Sequence, residues 1–168
     1  LQSLRSRKLV KRIGISIYQA SDLENISLDF FDIVQLPLSL YDQRLISNGT
    51  IDFLKGKNIA IHSRSIYLQG LLLTEEYEWP SWVCKSIRKH HVKLKKLATK
   101  RQCELINLVL GFQQTQTYLE AIVVGLCSTR ELLELVKVLS SPNPWINEDW
   151  KNWQISNKDF LDPRKWPI

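Results

Sequence analysis

The sequence alternates short apolar segments with longer segments of helical pattern, and this alternation constrains the fold more than any other feature. Four segments have strand length and are rich in β-branched residues, namely residues 12–18, 32–37, 59–64 and 121–125. A helical pattern follows each, and this succession predicts a parallel sheet with right-handed crossovers. Four such units fit either an open sheet or half of an eightfold barrel. The chain lacks G-x-G-x-x-G after its first strand and lacks G-x-x-x-x-G-K-[ST], so two common nucleotide-binding alternatives lose support.

Periodicity and capping signals locate the helices between these strands. The longer helices are predicted over residues 42–54 (with Asn48-Gly49 as a candidate break), 81–99, 102–113 and 132–139. Ser21 and Glu24 have capping-box spacing and predict a short helix toward Phe31, and the same spacing opens the last helix at Ser128. The first seven residues have the pattern of a helix end. From Ser140 onward we expect the chain to wrap the surface without regular structure.

Polar residues gather at the end of the third strand. Arg64 and Ser65 follow the apolar segment 59–63, and the loop after them closes at Gly70. In parallel α/β proteins, the loops that leave the carboxyl ends of the strands point into one crevice, where ligands bind. We therefore expect a ligand near Arg64 and Ser65. The alternative, that both residues only solvate a loop, fits this stretch equally well.

Composition narrows the class of protein. The chain has 168 residues, of which 44% are hydrophobic and 24% are charged, as in a single globular domain. No apolar run approaches the roughly 18–20 residues that span a bilayer, so we expect no membrane partner. Cys84, Cys103 and Cys127 form no C-x-x-C pair. This spacing argues against a zinc site or a disulfide framework and favours a reducing, cytoplasmic location.

The net charge of +6 is concentrated in residues 5–12 and 85–101. Apolar residues interleave with the cations of the second run, which predicts an amphipathic helix with a basic outer face. Such a run is usually a solvated face, so we do not expect nucleic acid as a partner. His90 and His91 lie in this run and are expected at the surface. His62 lies in the middle of a strand and is expected to face the barrel or the helix layer.

Four motifs follow one another at plausible spacings: residues 11–16 (KRIGIS), 32–37 (DIVQLP), 64–72 (RSIYLQGLL) and 123–132 (VVGLCSTREL). Together with the closing residues 161–166, they resemble the C-terminal half of an aldo/keto reductase. The resemblance covers nearly the whole chain. It implies one domain, residues 1–168, built from strands five to eight of a TIM-type (β/α)8 barrel. The chain starts at Leu1 and within a helix, so we expect it to be part of something longer.

The resemblance implies a nicotinamide cofactor, NADP or NAD, across the carboxyl ends of these strands. Ser16 and Gln35 match residues that hydrogen-bond the carboxamide, a neutral group for which neutral donors and acceptors are suited. Arg64 stands where many members carry an aromatic residue under the nicotinamide ring, and a planar guanidinium can stack there. The loop that passes the pyrophosphate contains Ser65, Tyr67 and Gly70.

The adenosine-phosphate end is implied near the start of the last helix. The residues that match the family there are Gly125, Ser128, Thr129 and Glu134, and Glu131 is a further candidate for cofactor binding at this end. From the residues alone, helix capping is the preferred interpretation of Ser128 and a tight turn that of Gly125.

Three positions depart from the family pattern. Ile17 and Leu135 each stand where an asparagine is usual, and Glu131 stands where a glutamine or arginine often contacts the adenosine. Arg130 is the one nearby cation that could favour a 2′-phosphate, and it gives NADP a slight preference, while the choice between NADP and NAD stays open.

The implied activity is the reduction of a small carbonyl substrate, an aldehyde, ketone or sugar, by NAD(P)H. The family's catalytic aspartate, tyrosine, lysine and histidine come from strands one to four, so no catalytic residue is expected in this chain. An alternative is a truncated, non-catalytic relic that acts as a scaffold or interaction module. Exposed sheet edges would then favour self-association or pairing with the missing half. A basic nucleic-acid binder is the third hypothesis.

Overall fold

A computed structural model describes residues 1–141, 144 and 147–167. Its centre is a parallel sheet in which four strands lie in the order of the sequence. The strands are β1 (Gly14–Ser16), β2 (Ile33–Pro37), β3 (Ala60–Arg64) and β4 (Leu119–Ile122). Helices connect them, so the predicted fold class, an α/β fragment of a TIM-type barrel, is confirmed.

Six α-helices lie in the described part of the chain: α1 (Gln2–Ser6), α2 (Arg44–Ser47), α3 (Thr50–Gly56), α4 (Lys85–Lys100), α5 (Leu105–Thr115) and α6 (Thr129–Leu139). The break between α2 and α3 falls at Asn48-Gly49 as expected, where Gly49 adopts a left-handed φ of 79° that favours glycine. The basic helix begins at Lys85 and not near Ser81, because a turn from Pro80 to Val83 precedes it.

Two further boundaries differ from the sequence prediction. The segment after β1 forms 3₁₀ turns, Ala20–Leu23 and Leu28–Phe30, and the first is capped by Gln19 and Asp22, not by Ser21 and Glu24. The fourth strand ends at Ile122, before the apolar residues 123–125 that we assigned to it. Val123 still donates its N–H to the Ser63 carbonyl at 2.7 Å, after which the chain leaves the sheet.

The two faces of the sheet differ in their surroundings. Because successive strand residues point to opposite faces, the buried residues Val34, Leu36 and Ile61 face the helix layer. The register places Ser16, Gln35 and His62 side by side on the other face, where Ser16 is exposed. His62 Nε2 lies 3.0 Å from Glu120 Oε1, so this histidine faces the open side of the sheet and not the helix layer.

The structure corrects the expected position of the histidines on α4. His91 is fully buried, with its Nδ1 2.8 Å from Tyr41 Oη and its Nε2 3.0 Å from the Thr74 carbonyl oxygen. His90 is partly buried against the Trp153 carbonyl oxygen, at 3.1 Å. The inner face of α4 therefore includes a polar side chain with partners on both ring nitrogens. Burial lowers the pKa of His91.

The described part of the C-terminal tail packs on the core. Trp150, Ile155, Phe160 and Leu161 are buried, and Gln43 Nε2 donates to the Trp150 carbonyl at 2.8 Å. Two 3₁₀ helices, Trp150–Trp153 and Pro163–Lys165, stand where we expected no regular structure. The part of that expectation that concerns residues 142, 143, 145, 146 and 168 lies outside the described residues.

Candidate functional site

A network of polar side chains links three neighbouring strands and includes the carboxyl-terminal residues of β1 and β3. Ser16 Oγ donates to Gln35 Oε1 at 3.4 Å, and Arg64 Nε donates to Ser16 Oγ at 3.3 Å. A second guanidinium nitrogen of Arg64 donates to Ser65 Oγ at 3.2 Å, and the third to the Ile17 carbonyl at 3.1 Å. The strand register aligns Ser16 with Gln35, and the hydrogen bonds connect this pair to Arg64 and Ser65. The fold therefore brings these four predicted site residues together.

The Arg64 guanidinium packs against an aromatic ring that a second arginine also contacts. This stack was not predicted from the sequence. The guanidinium carbon of Arg64 lies 4.0 Å from the centre of the Tyr18 ring, and that of Arg164 lies 3.6 Å from the centre of the same ring. Asp162 accepts two hydrogen bonds from the Arg164 guanidinium, at 2.9 and 2.7 Å, and so balances its charge. Cations over an aromatic face are attracted to it, so the tail supports the position of Arg64.

A cleft of about 530 Å³ continues from this network, between the loop after β3 and the start of α6. It lies within the range of about 300–1,000 Å³ that ligand pockets occupy. Six of the predicted cofactor residues line it: Ser65, Tyr67, Gly70, Gly125, Glu131 and Glu134. The loop and the helix, which are far apart in sequence, thus form two walls of one cleft.

The loop wall has an unusual backbone. Ser65, Leu68, Gln69 and Gly70 have positive φ angles of 57°, 48°, 55° and 88°. Side chains make this conformation costly, by about 1–3 kcal/mol for each non-glycine residue, and such residues cluster at ligand sites. Burial raises the pKa of the neighbouring Tyr67, and the carboxylate of Glu131 raises it further. The phenol of Tyr67 therefore stays protonated at neutral pH.

At the helix wall of the cleft, side-chain oxygens of the same chain accept hydrogen bonds from backbone N–H groups. Ser128 is the N-cap of α6 and accepts from the Glu131 N–H at 3.2 Å, which matches our residue-based interpretation. Glu131 Oε2 accepts from the Cys127 N–H at 2.8 Å. Ser128 and Thr129 are exposed and do not line the cleft. Their predicted contact with a phosphate remains a prediction.

The three departures from the family pattern differ in position. Ile17 is 1% exposed and faces the core, so its side chain does not reach the polar network, and Leu135 is also buried. The side chain of Arg130 is 86% exposed, with Nε 3.9 Å from Glu134 Oε1, and it does not line the cleft. Of these positions, only Glu131 presents a side chain to the cleft.

No three His, Cys, Asp or Glu side chains gather closely enough to hold a metal ion in the part of the chain that the structure describes. The same residues contain no helix with the length and apolar character of a membrane span. The three cysteines are free thiols.

The strand order, the helices on one face and the cleft at the carboxyl ends of the strands define a barrel-type α/β protein with its candidate site on the loop side. The model of the aldo/keto reductase family matches residues 1–157 of the 168, and the chain belongs to this family. A search of curated proteins found no match. Family membership suggests an oxidoreductase, and the family generally uses NAD(P)H with a carbonyl substrate.

Sequence reasoning missed Tyr18 and Arg164 because the stack depends on contacts between distant segments. Tyr18 is the last residue of the predicted first strand, residues 12–18, and an aromatic residue at the carboxyl end of a strand was a usable signal. Nothing in the local pattern of the tail pointed to Arg164. Its contact with Tyr18 depends on the buried Phe160 and Leu161, which fix the tail on the core.

Proposed function

We propose that this chain binds the nicotinamide nucleotide of an oxidoreductase that reduces a small carbonyl compound. The observation that carries the proposal is the continuity of the polar network with the cleft through Arg64 and Ser65. The cofactor, when bound, supplies the hydride. The chain's own residues supply binding, orientation and electrostatics.

The residues present fit such a group. Ser16 and Gln35 satisfy each other at 3.4 Å, close to the upper limit of a hydrogen bond, and both reach the accessible face of the sheet. They can exchange this contact for the donor and acceptor of a carboxamide. Arg64 then lies beside the nicotinamide, the loop 65–70 beside the pyrophosphate, and α6 beside the adenosine. The strained loop backbone supports a binding role for that wall.

We further propose that the acid that protonates the carbonyl oxygen comes from a complementary half, with which this chain pairs. The sheet of the described residues ends at β1 on one side and at β4 on the other. α6, which follows β4 in the sequence, exposes four apolar side chains: Leu132, Leu133, Val136 and Leu139. Unpaired strand edges and an apolar helix face both favour association. A chain that sediments as a monomer alone and together with a separately produced half would refute the pairing.

A relic that serves as a scaffold is the second candidate, favoured by the same exposed edges. The two candidate functions differ in nucleotide binding, which we expect of the oxidoreductase and not of the relic. We propose a reducing, cytoplasmic location for either, in keeping with the free cysteines.

Calorimetric titration of the chain with NADH and with NADPH tests the proposal. We expect saturable binding of at least one nucleotide, weakened by at least about tenfold in Gln35→Ala because a bound amide loses a partner in a partly desolvated site. Gln2→Ala, an exposed change on α1, is the matched control and should leave the affinity unchanged. Absence of binding by the folded chain would favour the relic.

A further inference from the structure

The helix wall of the cleft is acidic. Glu131 and Glu134 both line it, whereas no Lys, Arg or His is among the described residues that line the cleft. We propose that Glu131 excludes a 2′-phosphate and makes this chain select NADH over NADPH. The inference rests on the proposed nucleotide site, and it is opposite to the preference for NADP that we drew from Arg130.

The position of Glu131 is fixed by its hydrogen bonds. Its carboxylate accepts from the Cys127 N–H at 2.8 Å, and its own N–H is capped by Ser128 Oγ at 3.2 Å. N–H groups at the start of a helix are the donors that commonly bind phosphate groups. Here the N–H of Glu131, one of these donors, is bonded to Ser128 Oγ, and the Cys127 N–H just before the helix is bonded to the Glu131 carboxylate. A 2′-phosphate at this wall would have to approach a carboxylate and displace it from Cys127.

The cation next to it in the sequence, Arg130, does not compensate this charge. Arg130 projects to solvent, with its side chain 86% exposed, and its closest carboxylate is Glu134 at 3.9 Å. A guanidinium so exposed is screened by water and salt. The ribose 2′-hydroxyl of NADH, unlike a 2′-phosphate, is favoured by a carboxylate. The carboxylate accepts a hydrogen bond from the hydroxyl, as acidic residues do in other dinucleotide sites.

The test compares the dissociation constants of NADH and NADPH, measured by calorimetry at low ionic strength, in the wild-type chain and in two variants. Glu131→Gln removes the charge but keeps an oxygen that can accept from Cys127. Asp52→Asn, on an 80% exposed side chain of α3, removes the same charge away from the cleft and is the matched control. Circular dichroism checks that each chain is folded.

We expect wild-type protein to bind NADH on the order of tenfold more tightly than NADPH, as one like-charge contact at a partly exposed site implies. In Glu131→Gln this ratio should fall close to one, mainly through tighter binding of NADPH, and in Asp52→Asn it should persist. Equal or tighter binding of NADPH by wild type would overturn the inference and leave the nucleotide site standing. A ratio that survives in Glu131→Gln would overturn it as well. If neither nucleotide binds the folded chain, the proposed function fails, and this inference fails with it.

Discussion

Arg64 offers the sharpest prediction about the nicotinamide end of the proposed site. Among the described residues, its three guanidinium hydrogen bonds all go to uncharged oxygens, those of Ser16, Ser65 and Ile17. Arg164, which stacks on the same Tyr18 ring, is instead balanced by Asp162. The site therefore carries one uncompensated positive charge where the nicotinamide ring is proposed to bind. The ring is positively charged in NAD⁺ and neutral in NADH, so Arg64 should disfavour the oxidised form.

The magnitude follows from Coulomb's law. A guanidinium stacked about 5 Å from a charged ring, at an effective dielectric constant between about 20 and 80, repels it by roughly 1–3 kcal/mol. The lower half of this range is appropriate for a site open to solvent and corresponds to a ratio on the order of tenfold. We expect NADH to bind more tightly than NAD⁺ by this factor.

The assay is calorimetric titration with NADH, NAD⁺ and ADP-ribose, which lacks the ring. In Arg64→Gln the ratio between NAD⁺ and NADH should approach one, while the affinity for ADP-ribose changes little. Arg164→Gln is the matched control, because it removes a guanidinium of the same stack whose charge Asp162 balances. The reasoning is refuted if wild type binds both redox forms equally, or if Arg164→Gln abolishes the ratio as fully as Arg64→Gln does.

Two predictions concern stability. Because burial holds the pKa of His91 below its ordinary value of about 6.5, the unfolded chain binds a proton more readily than the folded one. His91 should therefore reduce the free energy of unfolding as the pH falls below about 6.5, and urea denaturation at pH 7.5 and 5.5 should show a smaller loss in His91→Gln. At Gly14, a Cβ would lie 2.8 Å from the Ile33 carbonyl oxygen, whereas at Gly56 it would meet nothing within 4 Å. We expect Gly14→Ala to cost about 1–3 kcal/mol and Gly56→Ala to cost almost nothing, and equal effects in urea denaturation would contradict the close approach of β1 and β2.

The order of the elements was predictable because it depends on local alternation. Each crossover of the four strands follows from a strand–helix–strand pattern, and the observed order β1-β2-β3-β4 agrees with it. The boundaries were less predictable because tertiary contacts decide them. Residues 123–125 have the apolar, β-branched character of a strand, yet Val123, Val124 and Gly125 form part of the cleft wall instead.

The same contrast applies to the site. Ser16 and Arg64 could be placed together because each ends its strand, and Gln35 lies on the neighbouring strand between theirs, where topology alone brings residues together. His91 was misplaced because its neighbours in sequence are cations, while its burial depends on Tyr41 and a carbonyl from a distant loop. No local pattern contains that information.

The two charges of the proposed site give a joint prediction about how one nucleotide lies in it. Arg64 belongs to the loop side and Glu131 to the helix side, and they share no hydrogen-bond partner. If one dinucleotide spans both walls, Arg64→Gln changes only the ratio of NAD⁺ to NADH and Glu131→Gln only the ratio of NADPH to NADH. The double variant should then show both changes, additive within about 0.5 kcal/mol, as for independent sites. An Arg64→Gln variant that altered the NADPH ratio instead would place the 2′-phosphate near Arg64. The nucleotide would then lie in the reverse direction, and the assignment of the two ends would be wrong even though the cleft still binds it.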